Sequence, residues 1–125
     1  MSARILVAED DEGVRSFVGT ALKRAKYAVD FARDGAEAIE ALKATDYDVI
    51  VLDLMMPKAS GFEVLAWLQA RNAEEARRKV VVLTAMAAKD LKNLTSDRVL
   101  AVLRKPFNLA EMLSTVARAT QSRSE

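Results

Sequence analysis

Residues 49–61 read VIVLDLMMPKASG, and the opening five positions decide the fold. A strand with one face in water alternates apolar and polar residues, whereas a strand covered on both faces is apolar without interruption. VIVL is of the second kind, as are ILVA at 5–8 and VVVL at 80–83. Runs at 28–32 and 99–103 complete a set of five predicted strands. Helical stripes lie between them. Val14, Phe17, Val18, Ala21 and Leu22 recur at the spacing of one helix face. Ala36, Ile39 and Leu42 form a shorter stripe opened by Asp34 and Gly35. Phe62, Leu65 and Leu68 carry a third, and Leu109, Met112, Leu113 and Val116 a last one capped by Asn108. Ala87, Leu91 and Leu94 give a thin stripe for a helix over 87–96. Residues 72–79 are expected to end the third helix and connect it to the fourth strand, and TQSRSE at 120–125 to form a frayed tail. The pattern is (βα)5: a doubly wound α/β domain with a parallel sheet between two helical layers.

The totals agree with one domain. The chain has 125 residues, of which 51% are hydrophobic and 30% charged. It contains neither cysteine nor histidine, which excludes disulfides, thiol or imidazole catalysis and soft-metal sites. Net charge is +1, divided as −3 over residues 1–60 and +4 over 61–125, too mild for a nucleic-acid binder. No apolar run reaches the roughly 20 residues of a membrane span, and no signal peptide opens the chain, so a cytoplasmic location is expected.

In a parallel α/β sheet, functional groups gather at the carboxyl ends of the strands. Those ends carry Glu9, Asp10, Asp11 and Glu12 after the first strand, Asp53 after the third, Thr84 after the fourth and Lys105 after the fifth. Taken singly, such residues are mostly turn or cap residues. Together they place Asp10, Asp11 and Asp53 at one edge of the sheet, where their repulsion calls for a hard cation such as Mg2+. Beside that ion, Asp53 is positioned to attack phosphorus, with Thr84 and Lys105 meeting the phosphoryl oxygens.

Four segments, ILVAEDDE, the D-L-M-M-P-x-x-x-G stretch from Asp53 to Gly61, LTA at 83–85 and KPF at 105–107, stand in family order and spacing. On them the chain resembles the receiver domain of two-component response regulators, the CheY-like superfamily, over residues 3–120. The resemblance implies a flavodoxin-like three-layer sandwich with strand order 2-1-3-4-5. It implies that Asp53 takes a phosphoryl group from a histidine of a kinase or phosphotransfer protein. It further implies Mg2+ held by Asp11, Asp53 and the Met55 carbonyl, with Asp10 acting through water. Thr84 would move toward the phosphoryl group, Lys105 would pair with it, and Pro106 would follow a cis bond. Glu9 and Glu12 are read as charges favourable to a helix start. The chain itself is expected to catalyse no turnover of an external substrate.

Three departures bear on switching. The family's switch aromatic falls on Val102, which offers neither ring nor hydroxyl. SDRV at 96–99 replaces a common Gly-Ala pair. The positions flanking the phosphoryl site are Met55 and Met86, which cannot orient an attacking water and so predict a long-lived phosphoryl state. The output face of the family is the fourth helix, fifth strand and last helix, basic here through Lys89, Lys92, Arg98, Arg104 and Arg118. It fits an acidic protein partner, and a phosphorylation-dependent homodimer is a further expected contact. With no effector domain after residue 125, the chain reads as a stand-alone regulator or a receiver cut from a longer protein.

Three alternatives compete. A dehalogenase-type phosphatase would need an aspartate where Met55 stands, and a cap domain. An FMN module would set its phosphate against the acidic run. An interaction module that signals without phosphorylation is the closest rival, favoured by Val102 and the unusual fourth crossover.

Overall fold

The computed structural model describes residues 3–86 and 98–124. In chain order these form β1 (Arg4–Ala8), α1 (Glu12–Arg24), β2 (Ala28–Ala32), α2 (Gly35–Ala44), β3 (Val49–Asp53), α3 (Gly61–Lys79), β4 (Val80–Thr84), β5 (Ala101–Arg104) and α4 (Leu109–Ser124). All neighbouring strands are parallel and the sheet order is β2-β1-β3-β4-β5. This is the flavodoxin-like (βα)5 fold. The helix expected over 87–96 lies outside the described residues. No helix of the described residues is long and apolar enough to cross a membrane.

The unbroken apolar runs follow from the two-sided burial. Successive side chains of a strand point to opposite faces. Ile50, Leu52, Leu6, Val80 and Val82 pack with Ala38 and Leu42 of α2 and Val64, Leu65 and Leu68 of α3. Val49, Val51, Ile5, Val7, Val81 and Leu83 pack with Val18 and Leu22 of α1 and Met112 and Val116 of α4. Each such side chain taken from water contributes about 1.5–3 kcal/mol before the entropy of ordering is set against it.

Side-chain caps fix where the helices begin. The Asp34 Oδ1 accepts from the Glu37 N–H at 2.8 Å, and the Asn108 Oδ1 accepts from the Glu111 N–H at 3.1 Å. Ser60 and Glu63 form a reciprocal capping box on α3. Residues 73–79 are helical, not a connection. Asn72 leaves helical geometry (φ −166°, ψ 100°), and its Oδ1 accepts from the Glu75 N–H at 3.1 Å. The break is therefore also a cap, and a second helical segment runs from it into β4. Strand β5 starts at Ala101, two residues later than the apolar run. Leu100 donates its N–H to the Val80 carbonyl at 2.8 Å, which anchors the approach to the strand.

Two glycines hold the β3–α3 loop close. A Cβ on Gly61 would lie 2.2 Å from the Asp53 carbonyl oxygen and 2.5 Å from the Leu54 Cα. A Cβ on Gly35 would lie 1.8 Å from the Ala59 carbonyl oxygen. The loop turns through Lys58 (φ 49°) and Ala59 (φ 76°), both left-handed without being glycine. The Lys58 carbonyl accepts from the Ala36 N–H at 3.0 Å, so the loop also satisfies the start of α2.

Candidate functional site

Strands β1 and β3 are neighbours, and β3 is fully buried to its last residue, Asp53. Asp53 pairs in register with Leu83 of β4, one residue before Thr84. The chain leaves β1 at Ala8, and Glu9 follows with its N–H bonded to the Ala32 carbonyl at 3.0 Å. That bond extends the strand by one residue and turns the Glu9 side chain inward. Glu9 is 1% exposed and Asp53 3%.

Carboxylate oxygens of Glu9, Asp10 and Asp53 all lie within 4.8 Å of one another. Asp11 does not join them. Its Oδ1 accepts from the Val14 N–H at 2.9 Å, so it is the N-cap of α1. The expectation that Asp10 and Asp11 are the acidic pair is thus displaced by one residue. The pair brought to Asp53 is Glu9 and Asp10, because the turn out of β1 spends its third acid on the helix. Glu9, first read as local support, is the residue the sequence reading missed. Glu12 stands in the first turn of α1 as expected.

Lys105 reaches this cluster from the end of β5. Its Nζ lies 2.6 Å from the Glu9 Oε1 and 3.6 Å from the Asp53 Oδ2. Its N–H bonds to the Thr84 carbonyl at 2.7 Å, and the Lys105–Pro106 bond is cis. The remaining Glu9 oxygen accepts from the Asp11 N–H at 3.2 Å, and the Asp53 Oδ1 accepts from the Met55 N–H at 3.1 Å.

The electrostatics divide the two buried acids. Burial raises the Asp53 carboxyl, and its hydrogen bond to Glu9 raises it further, to about 7. Burial also acts to raise Glu9, but hydrogen bonds with Asp53, Lys105 and the Asp11 N–H outweigh it and hold Glu9 below the ordinary value. Burial works against the Lys105 ammonium, yet the Glu9 hydrogen bond and the attraction of Asp53 and Glu9 raise it above the usual lysine value. Without a cation, Asp53 holds its proton up to about pH 7 while Glu9 carries the charge. The oxygen-only donor set fits Mg2+, which takes one or two carboxylates and retains water.

Thr84 is buried, and its Oγ1 accepts from the Met86 N–H at 3.1 Å. The flanking methionines differ. Met55 is 59% exposed, whereas Met86 packs against the α2/α3 side of the core together with Val102. Of the basic residues expected on the output face, Arg98, Arg104 and Arg118 are exposed, and Lys89 and Lys92 lie outside the described residues.

Fold and site define a parallel α/β signalling module whose strand ends gather acids suited to Mg2+ and aspartyl-phosphate chemistry. The chain belongs to the response regulator receiver domain family, whose profile matches residues 5–117. It is 36% identical over 121 residues to the response regulator MprA of Mycobacterium ulcerans, covering 91% of this chain and 48% of that protein. It is also 36% identical over 118 residues to the transcriptional regulatory protein TcrA of Mycobacterium tuberculosis, covering 89% and 43% respectively. The chain thus spans less than half the length of these relatives. Among solved structures it is similar to a Francisella response regulator receiver domain (TM-score 0.88, 28% identity, 99% of this chain and all of that one). It is similar also to the response regulator TrrA of Thermotoga maritima, solved with Mg2+ and BeF (TM-score 0.80, 27% identity, 95% and 99% covered).

Proposed function

We propose that this domain accepts a phosphoryl group on Asp53 from a phosphohistidine of a kinase or phosphotransfer protein, and passes the change to a protein partner. The observation that carries this reading is the placement of the buried Asp53 carboxylate among Glu9, Asp10 and Lys105. An Asp53 oxygen attacks phosphorus, the P–N bond of the donor breaks, and an acyl phosphate forms as imidazole leaves. Asp10, Asp53 and the Met55 carbonyl are the groups that would hold Mg2+, with the Glu9 carboxylate beside them. Mg2+ held there would supply positive charge toward the phosphoryl oxygens. The Lys105 ammonium, 3.6 Å from Asp53, meets the same oxygens, and the Thr84 hydroxyl supplies a donor once it turns from the Met86 N–H. The reaction modifies the domain itself and turns over no external substrate.

The basic face formed by Arg98, Arg104 and Arg118 docks an acidic protein surface. Incubation with acetyl phosphate and Mg2+ tests the reading. A mass gain of one phosphoryl group, absent in Asp53→Ala and in EDTA, is expected. No gain in the wild-type chain with several donors overturns it in favour of an unphosphorylated interaction module.

A further inference from the structure

Arg15 stands in the first turn of α1, where a cation opposes the helix dipole. Four acids precede it within six residues, yet its guanidinium makes no ion pair with any of their carboxylates among the described residues. Its Nη1 instead donates to two backbone carbonyls, Glu9 at 3.0 Å and Asp10 at 3.3 Å. Arg15 is half-buried, and its own N–H bonds the Asp11 carbonyl at 2.9 Å. The backbone of the acidic turn is thereby gripped at three consecutive carbonyls by one residue.

We infer that Arg15 is the positioning residue of the cation site, a clamp that fixes the Glu9–Asp10 backbone so that both carboxylates face Asp53 without itself taking up their oxygens. The inference rests on the proposed function, since it assigns Arg15 to that same site. The Glu9 and Asp10 carboxylates repel one another, and a flexible turn would let the already exposed Asp10 swing away from Asp53. A guanidinium bound to carbonyls resists that motion without occupying the acids. Both bonds come from the one Nη1 nitrogen, held in the plane of the guanidinium, a geometry that the freely rotating ammonium of lysine reproduces only in part.

The two roles open to Arg15 predict opposite signs. If it acts only as a nearby charge it repels Mg2+, and removing it raises affinity. If it positions the turn, removing it lowers affinity despite the lost repulsion. Mg2+ binding is measured by titration calorimetry on the wild-type chain, Arg15→Met, Arg15→Lys and, as a control on the exposed far end of α1, Arg24→Met. Arg15→Met is expected to bind Mg2+ about tenfold more weakly, the scale of an outer-shell loss, with Arg15→Lys between it and wild type and Arg24→Met unchanged. Amide exchange of Glu9, Asp10 and Asp11 should rise in Arg15→Met while that of β3 does not. Equal or tighter Mg2+ binding by folded Arg15→Met overturns the inference. Should Arg15→Met not fold, Arg15→Lys decides it by the same sign. Failure of the wild-type chain to bind Mg2+ strikes the proposed function instead, and the exchange data alone then judge the clamp.

Discussion

Lys105 is held by Glu9: its ammonium is 2.6 Å from that carboxylate and a full ångström farther, at 3.6 Å, from Asp53. The side chain that must meet a phosphoryl group on Asp53 is therefore parked on its neighbour. Replacing Glu9 by glutamine removes the partner and one source of the raised Asp53 pKa. In Glu9→Gln the Asp53 carboxyl should titrate clearly below about 7, though still above an exposed aspartate because burial is the larger cause. Carbon-detected NMR of the Asp53 side chain reads this directly, and an unchanged midpoint would refute the pairing. The stability loss should fall short of the roughly 3–5 kcal/mol of an orphaned buried charge, because Asp53 can take up the ammonium.

The same buried acid makes metal-free stability depend on pH. Asp53 titrates at about 7 folded against 3.8 for an unperturbed aspartate. The folded state thus binds more protons in that window, and its contribution is present below 3.8 and lost as pH rises through about 7. Glu9, shifted the other way, has a contribution that is complete above 4.5 and lost only as pH falls below it, so it leaves the slope between pH 6 and 8 to Asp53. In EDTA the urea midpoint should be lower at pH 8 than at pH 6, and Mg2+ should restore it. Binding should also release a proton below pH 7, seen as calorimetric heats that differ between buffers of unlike ionisation enthalpy. Equal heats in the two buffers would contradict a protonated Asp53.

Asp10 and Asp11 can be told apart by conservative change. Asparagine caps a helix as well as aspartate does. Asp11→Asn should therefore keep both stability and Mg2+ affinity, and Asp11→Ala should cost about 1 kcal/mol of stability while binding Mg2+ nearly as well. Asp10→Asn should lose most Mg2+ affinity and little stability. Equal losses of affinity in Asp10→Asn and Asp11→Asn would return Asp11 to the cation site.

Gly61 admits no side chain. A methyl there meets the backbone of Asp53 and Leu54 at 2.2 and 2.5 Å, and no rotamer change relieves a backbone clash. Gly61→Ala should cost about 1–3 kcal/mol or more in chemical denaturation and slow phosphorylation by displacing the end of β3. Wild-type behaviour in both assays would mean that the loop yields freely.

The lifetime of the phosphoryl group should reflect Met55 and Met86. Met55→Asn with Met86→Glu supplies polar groups able to orient water. It should speed dephosphorylation by on the order of tenfold, well under the roughly 10²–10⁴ of an optimal general base. The decay of phosphorylated protein, followed by intact mass, gives the rate, and equal rates remove the methionines from consideration.

Much of this was legible in the order of the residues. VIVL, ILVA and VVVL announce two-faced burial because alternate side chains of each run feed different helical layers. Asp34 reads as the opening of a helix and Asn108 as a cap, and both act as caps. The acidic run was harder. Four consecutive acids carry no periodicity, and which of them face inward depends on where the strand's last hydrogen bond falls, here Glu9 to Ala32. The usable signal was the start of the helix: Asp11 lies three residues before Val14, the distance of an N-cap from the amide it accepts. A similar signal lay unread at Asn72, with Glu75 three residues on. Lys105 on Glu9 is a contact across 96 positions, and nothing local encodes it.

The division of apolar residues by the sheet has a mechanical consequence. On β5, Val102 leans on the α2/α3 side while Leu103 leans on the α1/α4 side. Two adjacent residues thus rest against separate masses that share one wall, and a rearrangement beginning at Thr84 need not disturb both. Motion of Val102 would be felt in the cluster that Met86 and Trp67 pack against, and not in the one that holds Met112 and Val116. The domain is built like a door with rooms on either side, able to shift the furniture of one without entering the other.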